Sequence, residues 1–278
     1  MAATHTLAGR RANAAAPNLR AASILSVLAL PLTALAAGAG LAVPGLYRDS
    51  PSLVPVLQGQ DLVTLLALSV MGWGMLAAAR GSARGVVVWA GVLGYLCYTY
   101  TGAALAYHFN VLTPVYIAVF GLAVFGLIAL CAALDPAAIA ARFDEGTPRR
   151  AVAGFLAFVV AGLGPAELAQ LLPHLGADTL PAAMVQYGLT SFFVYALDLG
   201  LVVPLSALAA IWLLRGRPWG HLLAGLMLIK AAVMGLALLA MGWFAARAGL
   251  PGDGLTPLWA FIGLGGLAMS AWFLRHCR

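Results

Sequence analysis

Eight stretches of this chain stay apolar for about 20 residues each, the length a helix needs to cross a hydrocarbon layer of roughly 30 Å. They lie near 21–43, 60–79, 85–107, 111–133, 151–172, 183–214, 219–246 and 255–274. Backbone groups in lipid must be satisfied within the segment, so spanning elements are helices or closed barrels. The two-residue alternation of a barrel strand is absent from these stretches. The fold class that follows is all-α: a polytopic membrane protein of about eight transmembrane helices. Composition agrees, since only 9% of the 278 residues are charged, against about 25% in a soluble domain.

Charge sets the orientation. With the N-terminus inside, Arg10, Arg11, Arg20, Arg80, Arg84, Arg142, Arg149, Arg150, Arg215, Arg217, Arg275 and Arg278 fall in inner segments, and only Arg48 and Arg247 fall outside. This bias places both termini in the cytoplasm. It also accounts for the net charge of +6 without a nucleic-acid partner. The expected surroundings are a bacterial cytoplasmic (inner) membrane, with the lipid bilayer as the first partner and homo-oligomerisation left open. Arg10-Arg11, a long apolar run and Ala34-Leu35-Ala36 resemble a secretory signal. The run continues to about Leu46, which favours an uncleaved first helix.

The chain reads as two halves. LTPVYIAVFGLAVFGLI from Leu112 resembles LTPLWAFIGLGGLAMSAW from Leu255. Leu68-Ser69 follows Asp61 at the same offset as Leu205-Ser206 follows Asp198, and Arg80-Gly81 and Arg215-Gly216 open the hairpin loops at matching places. We expect a cytoplasmic tail (1–20), a first four-helix half (21–133), a cytoplasmic linker (134–149) and a second half with a short tail (150–278). A parallel four-plus-four repeat implies a pseudo-two-fold axis along the membrane normal, the kind of interface where transporters place their sites. It would pair Asp61 with Asp198 and Tyr95 with Lys230.

Lys230, in LMLIKAAVM, is the only lysine of the chain. At about 1.5 Å per residue it lies roughly 15 Å from the inner end of its helix, too deep for the amine to snorkel to either surface. Ionisable groups at that depth are candidate functional residues. Asp198 lies about 24 Å above the inner end of the sixth helix, leaving a depth gap of about 9 Å. Side chains lean toward their own helix N-terminus, so Lys230 leans inward and Asp198 outward. That argues against direct pairing, although a tilt or a water would close the gap. Neutral groups nearer in depth are Ser69, Tyr95, Tyr98 and Ser206. An uncharged amine there would accept a proton or act as a Schiff-base nucleophile.

Other polar residues have plainer readings. Asp61 and Thr64 share a helix face and would form an outer vestibule, or Asp61 would simply cap its helix. Tyr107 fits an interfacial aromatic belt. Glu167, following Pro165, would line a kinked pathway or stand at the outer surface. His5, His174, His221 and His276 read as loop or terminal residues. The three cysteines form no disulfide framework, and no metal-binding spacing occurs. No cofactor is expected. The inner linker reads as a plain connection, with a short surface helix and Phe143 dipping into lipid as the alternative.

PGLYRD, GQDLVTL, ARGSARG, DLGLVVP and RPWGHLLAG resemble segments of a family of uncharacterised bacterial multi-pass membrane proteins. That resemblance implies the architecture and no catalytic role. A lysine mid-way through a seventh helix is similar to the layout of heliorhodopsins, where it would imply a retinal Schiff base. The chain departs from that pattern in its eighth span, in having no tryptophan near Lys230 depth on the sixth helix, and in having no acidic residue in the third. The expected function is a small-solute or proton-coupled transporter using Lys230, Asp198 and Tyr95, with Asp61 near the mouth. The alternatives are a membrane enzyme or lipid-binding protein using the amine, and a non-catalytic partner subunit.

Overall fold

The computed structural model describes residues 18–252 and 254–278. Arg10, Arg11 and His5 lie outside the described residues. The helices are α1 (Arg20–Ala42), α2 (Leu53–Ala79), α3 (Ala83–Leu105), α4 (Thr113–Ala133), α5 (Pro136–Ala140), α6 (Arg149–Leu171), α7 (Ala182–Tyr187), α8 (Phe193–Leu197), α9 (Val203–Leu214), α10 (Pro218–Arg247) and α11 (Thr256–Arg275). Among the described residues eight helical spans are long and apolar enough to cross a membrane. The sixth consists of α8 and α9 joined through Asp198–Val202. An even number of crossings returns the chain to the side on which it started.

The tight hairpins follow from turn residues. Gly81 closes the α2–α3 turn at φ 82, a left-handed conformation that costs glycine nothing. The next residue, Ser82, caps α3 by accepting from the Gly85 N–H at 3.3 Å. In the α9–α10 turn Gly216 has φ 63, and Pro218 opens α10 in the first-turn position where its missing N–H does no harm. Two span boundaries differ from the sequence expectation. The second span starts at Leu53, because the apolar run LVPVL joins the helix. The sixth starts at Phe193, because Gly188 at φ 62 ends α7 as a separate short helix. Asp61 therefore sits more than two turns inside α2 and does not cap it.

α1 packs on α2 and α4, α2 on α3, and α3 on α4. α6 packs on α9, α9 on α10, and α10 on α11. α10 also packs on α2 and α3, which joins the two groups. Most of α3 and α10 is buried, whereas less than half of the apolar window is buried in each of the other six spans. Helices gain no hydrophobic driving force from association in lipid, so close approach through small residues carries the packing. A Cβ on Gly235 would run into the backbone of Gly263, and one on Gly59 would meet the backbone of Met241.

The inner linker docks on the C-terminal tail. Its first turn is α5, capped by Asp135, whose carboxylate accepts from Ala137 N–H at 2.9 Å. Phe143 does not enter lipid: it packs against His221 and Phe273 with ring centroids 4.9 and 4.6 Å away. His221 is not a loop residue either. It lies in the first turn of α10, 3% exposed, with neither ring nitrogen partnered. His276 meets Asp144 at 2.8 Å, the Asp144 N–H donates to the His276 carbonyl, and the Arg278 N–H donates to the Arg142 carbonyl. The Arg84 guanidinium donates to the Cys277 carbonyl.

Two outcomes are expected. Gly235→Leu should cost at least the about 1–3 kcal/mol typical of overpacking, whereas Gly242→Leu on the same helix, where a Cβ meets nothing within 4 Å, should leave the thermal unfolding midpoint in detergent unchanged. Burial pushes the Cys277 thiol up to about 11 against the pull of Arg84 and Arg142, so near neutral pH it should resist maleimide. Phe143→Ala should make it reactive, as read by mass shift.

Candidate functional site

Within the spans, outside the first and last helical turns, the ionisable residues are Asp61, Glu167, Asp198 and Lys230, leaving tyrosine and cysteine aside. Three of these four line one cavity of about 150 Å³. Glu167, Asp198 and Lys230 are 8%, 6% and 6% exposed, and they come from α6, the sixth span and α10.

Each wall follows from helix periodicity. On α6, Val159, Leu163 and Glu167 recur every four residues on one face. On α10, Met227, Lys230, Ala231 and Met234 form the corresponding stripe. The sixth span contributes Val194, Asp198, Val202 and Ser206, again every four residues. At about 3.6 residues per turn, four-residue steps drift around an α-helix by about 40° each. The wider turn between Asp198 and Val202, where the Val203 N–H donates to the Asp198 carbonyl five residues back, offsets part of that drift. Such π-bulges occur frequently at functional sites. Pro204 follows at once and brings no N–H, which removes one competing α-helical bond.

The Lys230 Nζ lies 4.2 Å from the centroid of the Tyr98 ring, within the range of a cation–π contact. It makes no ion pair within 4.0 Å of either carboxylate. The absence of direct contact agrees with the opposed lean of the two side chains, yet Lys230 and Asp198 face the same space and attract each other across it. Asp198 also lies beside Tyr98 and within electrostatic reach of Glu167. The Glu167 Oε2 has no hydrogen-bond partner among the described residues.

The other expected residues distribute differently. Ser206 is buried and lines the cavity. Ser69 lies on an exposed face of α2 and takes no part. Tyr95 is fully buried but belongs to another polar group, 2.8 Å from Thr64. The Thr64 hydroxyl proton goes to the Gln60 carbonyl at 2.9 Å, so Tyr95 donates to Thr64. Asp61 accepts from the Tyr47 hydroxyl at 2.6 Å. Its carboxylate packs against α1 where Gly40 has no Cβ to occupy that place. Tyr107, read from sequence as a belt residue, packs edge-on against Tyr47 and Tyr116, both at 6.2 Å.

Glu167 was the member hardest to foresee, because a carboxylate near an outer helix end usually faces water. The signal lay in its spacing: Val159, Leu163 and Glu167 lie on one stripe of α6. No family model, curated protein or solved structure matches the chain, so the reading of the site rests on its own geometry.

The arrangement brings three groups that can gain or lose a proton to one space. Drug-sized ligands occupy pockets of about 300–1,000 Å³. A cavity of about 150 Å³ accommodates about five waters at roughly 30 Å³ each. Removing the amine leaves two buried carboxylates without their cation. Lys230→Met should therefore cost on the order of 3 kcal/mol, and adding Asp198→Asn should restore at least about 1 kcal/mol of it. Denaturant or thermal unfolding of the two single variants and the double variant measures that coupling.

Proposed function

We propose that this integral membrane protein is a proton-coupled transporter of small solutes in a bacterial cytoplasmic membrane. The observation that carries the reading is the convergence of Lys230, Asp198 and Glu167, from three different spans, on one cavity in the apolar interior. Gaining or losing a proton there changes the net charge of a site with little water. In a low-dielectric setting such a change weighs several kcal/mol. Proton occupancy would thereby bias which helix arrangement is stable. Intramembrane acids and amines commonly serve as proton relays, and transporters build such sites at interruptions of regular helix. The turn at Asp198–Val202 is an interruption of that kind.

Two carboxylates on the lining oppose an anionic ligand, so Lys230 serves as a counter-charge and proton partner in this reading. The limited volume also works against a lipid acyl chain or an extended cofactor beside the amine. In proteoliposomes carrying a trapped pH dye, an imposed gradient should drive proton uptake that Lys230→Met and Asp198→Asn slow at least tenfold. Ser69→Ala should match wild type. Wild-type vesicles indistinguishable from empty ones, across a panel of small solutes, would sink the proposal.

A further inference from the structure

We infer that the inner ends of the first four spans enclose a binding site for one anionic phospholipid of the inner leaflet, its phosphate at the mouth beside Arg20 and Arg142 and one acyl chain rising toward Trp89. The site is separate from the Lys230 cavity and shares none of its residues. α1, α2, α3, the end of α4 and α5 surround a space of about 620 Å³. α1 and α3 begin at its mouth, and α2 and α4 end there. It therefore opens on the face that the arginine bias assigns to the cytoplasm. Trp89 closes the deep end. It lies roughly 9 Å along α3 from Ala83, at about 1.5 Å per residue, and its indole N–H donates to Ser26 at 2.9 Å.

The polarity of this space runs in the same direction as that of a lipid leaflet. Its mouth carries Arg20 and Arg142, and its depth is walled by Met75, Val86 and Trp89. Among the described residues neither arginine has a carboxylate within ion-pair distance. Asp135 also borders the space, but its carboxylate caps α5 by accepting from the Ala137 N–H. Arginine keeps its charge in proteins and presents a planar fork that matches phosphate oxygens in pairs. A small hydrophilic anion would satisfy the mouth and leave the apolar walls in contact with water. A neutral apolar ligand would cover the walls and leave the charges unmatched. An anionic lipid meets both demands, and in the inner leaflet it already holds its head group at this level with its chains toward the midplane. Basic pockets between spanning helices on the cytoplasmic side bind such head groups. The volume falls within the about 300–1,000 Å³ of sites for drug-sized ligands. It takes a head group and part of one chain, so the second chain stays in the surrounding bilayer.

The test is thermal unfolding of the full chain in an uncharged detergent, titrated with phosphatidylglycerol, with phosphatidylcholine or with the water-soluble head group glycerol phosphate. A ligand that binds only the folded state raises the midpoint saturably. Phosphatidylglycerol should do so, and the other two should not. Arg20→Gln combined with Arg142→Gln should raise half-saturating phosphatidylglycerol at least tenfold. Ala138→Trp, which keeps every charge and places an indole on the lining, should do the same. Arg215→Gln combined with Arg217→Gln removes equal charge from the inner face of the second half and should leave half-saturation within about twofold of wild type. A wild-type midpoint indifferent to phosphatidylglycerol overturns the inference, as does an equal response to phosphatidylcholine or an Arg20 and Arg142 variant that responds like wild type. A response to glycerol phosphate as strong as to the whole lipid makes the ligand a soluble anion and overturns it too. An equal loss in the Arg215 and Arg217 variant reduces the effect to general surface charge, and an unchanged response in Ala138→Trp puts the lipid outside the cavity; either result defeats the inference.

Discussion

Between helices surrounded by lipid tails, association has to come from close packing and from polar contacts that have nowhere else to go. That requirement runs through this molecule. α10 approaches α2, α3, α9 and α11, and several of these approaches depend on a glycine with no room for a Cβ. Gly235 meets α11, Gly59 meets α10, Gly91 meets Ile229 and Gly220 meets the end of α9. Once backbones come this close, every side chain on the shared faces is sealed from solvent, whether or not it is apolar. The polar ones must then find partners. Trp89 donates to Ser26 at 2.9 Å, Tyr95 meets Thr64 at 2.8 Å and Tyr47 meets Asp61 at 2.6 Å.

Against that background the two buried aspartates contrast. Asp61 and Asp198 precede a Leu-Ser pair by the same offset in sequence, yet their surroundings differ. Asp61 is engaged by a tyrosine hydroxyl and pressed onto α1 over Gly40. Asp198 sits at a widened helical turn and opens onto a cavity shared with a second carboxylate and the only lysine. A carboxylate satisfied by one strong hydrogen bond contributes to structure. The charges around the cavity face one another across space without a direct ion pair. The cavity also lies largely among α6, the sixth span, α10 and α11, with only Tyr98 reaching in from α3.

Much of this was legible in the chain. Eight apolar runs are enough to specify eight helical crossings, because lipid permits the backbone no other local solution. The depth of Lys230 followed from counting residues at a fixed rise, and its lack of a direct ion pair followed from the direction in which helical side chains lean. By the same count Ser69, Tyr95, Tyr98 and Ser206 share the depth of Lys230, and of these Tyr98 and Ser206 line its cavity. The start of the second span was harder to read, because the helix continues through the polar stretch QGQD once α1 and α10 pack against it. The inner linker reads from sequence as a plain connection, but α10 and α11 provide Phe143 with an apolar seat between His221 and Phe273.

Class, spans and the buried lysine are thus properties of the chain read alone, since they depend on segment length, local hydrogen bonding and the sign of charges in short loops. Which polar residues face one another is not. Ser69 and Ser206 occupy matching sequence positions, and one faces outward while the other lines the cavity. Tyr95 and Tyr98 lie less than one turn apart, and one bonds Thr64 while the other supports Lys230. Glu167 joins the lysine from an element far away in sequence. Those choices depend on how each helix is rotated about its axis, and rotation is set by the glycine contacts and the widened turn, which no single segment specifies.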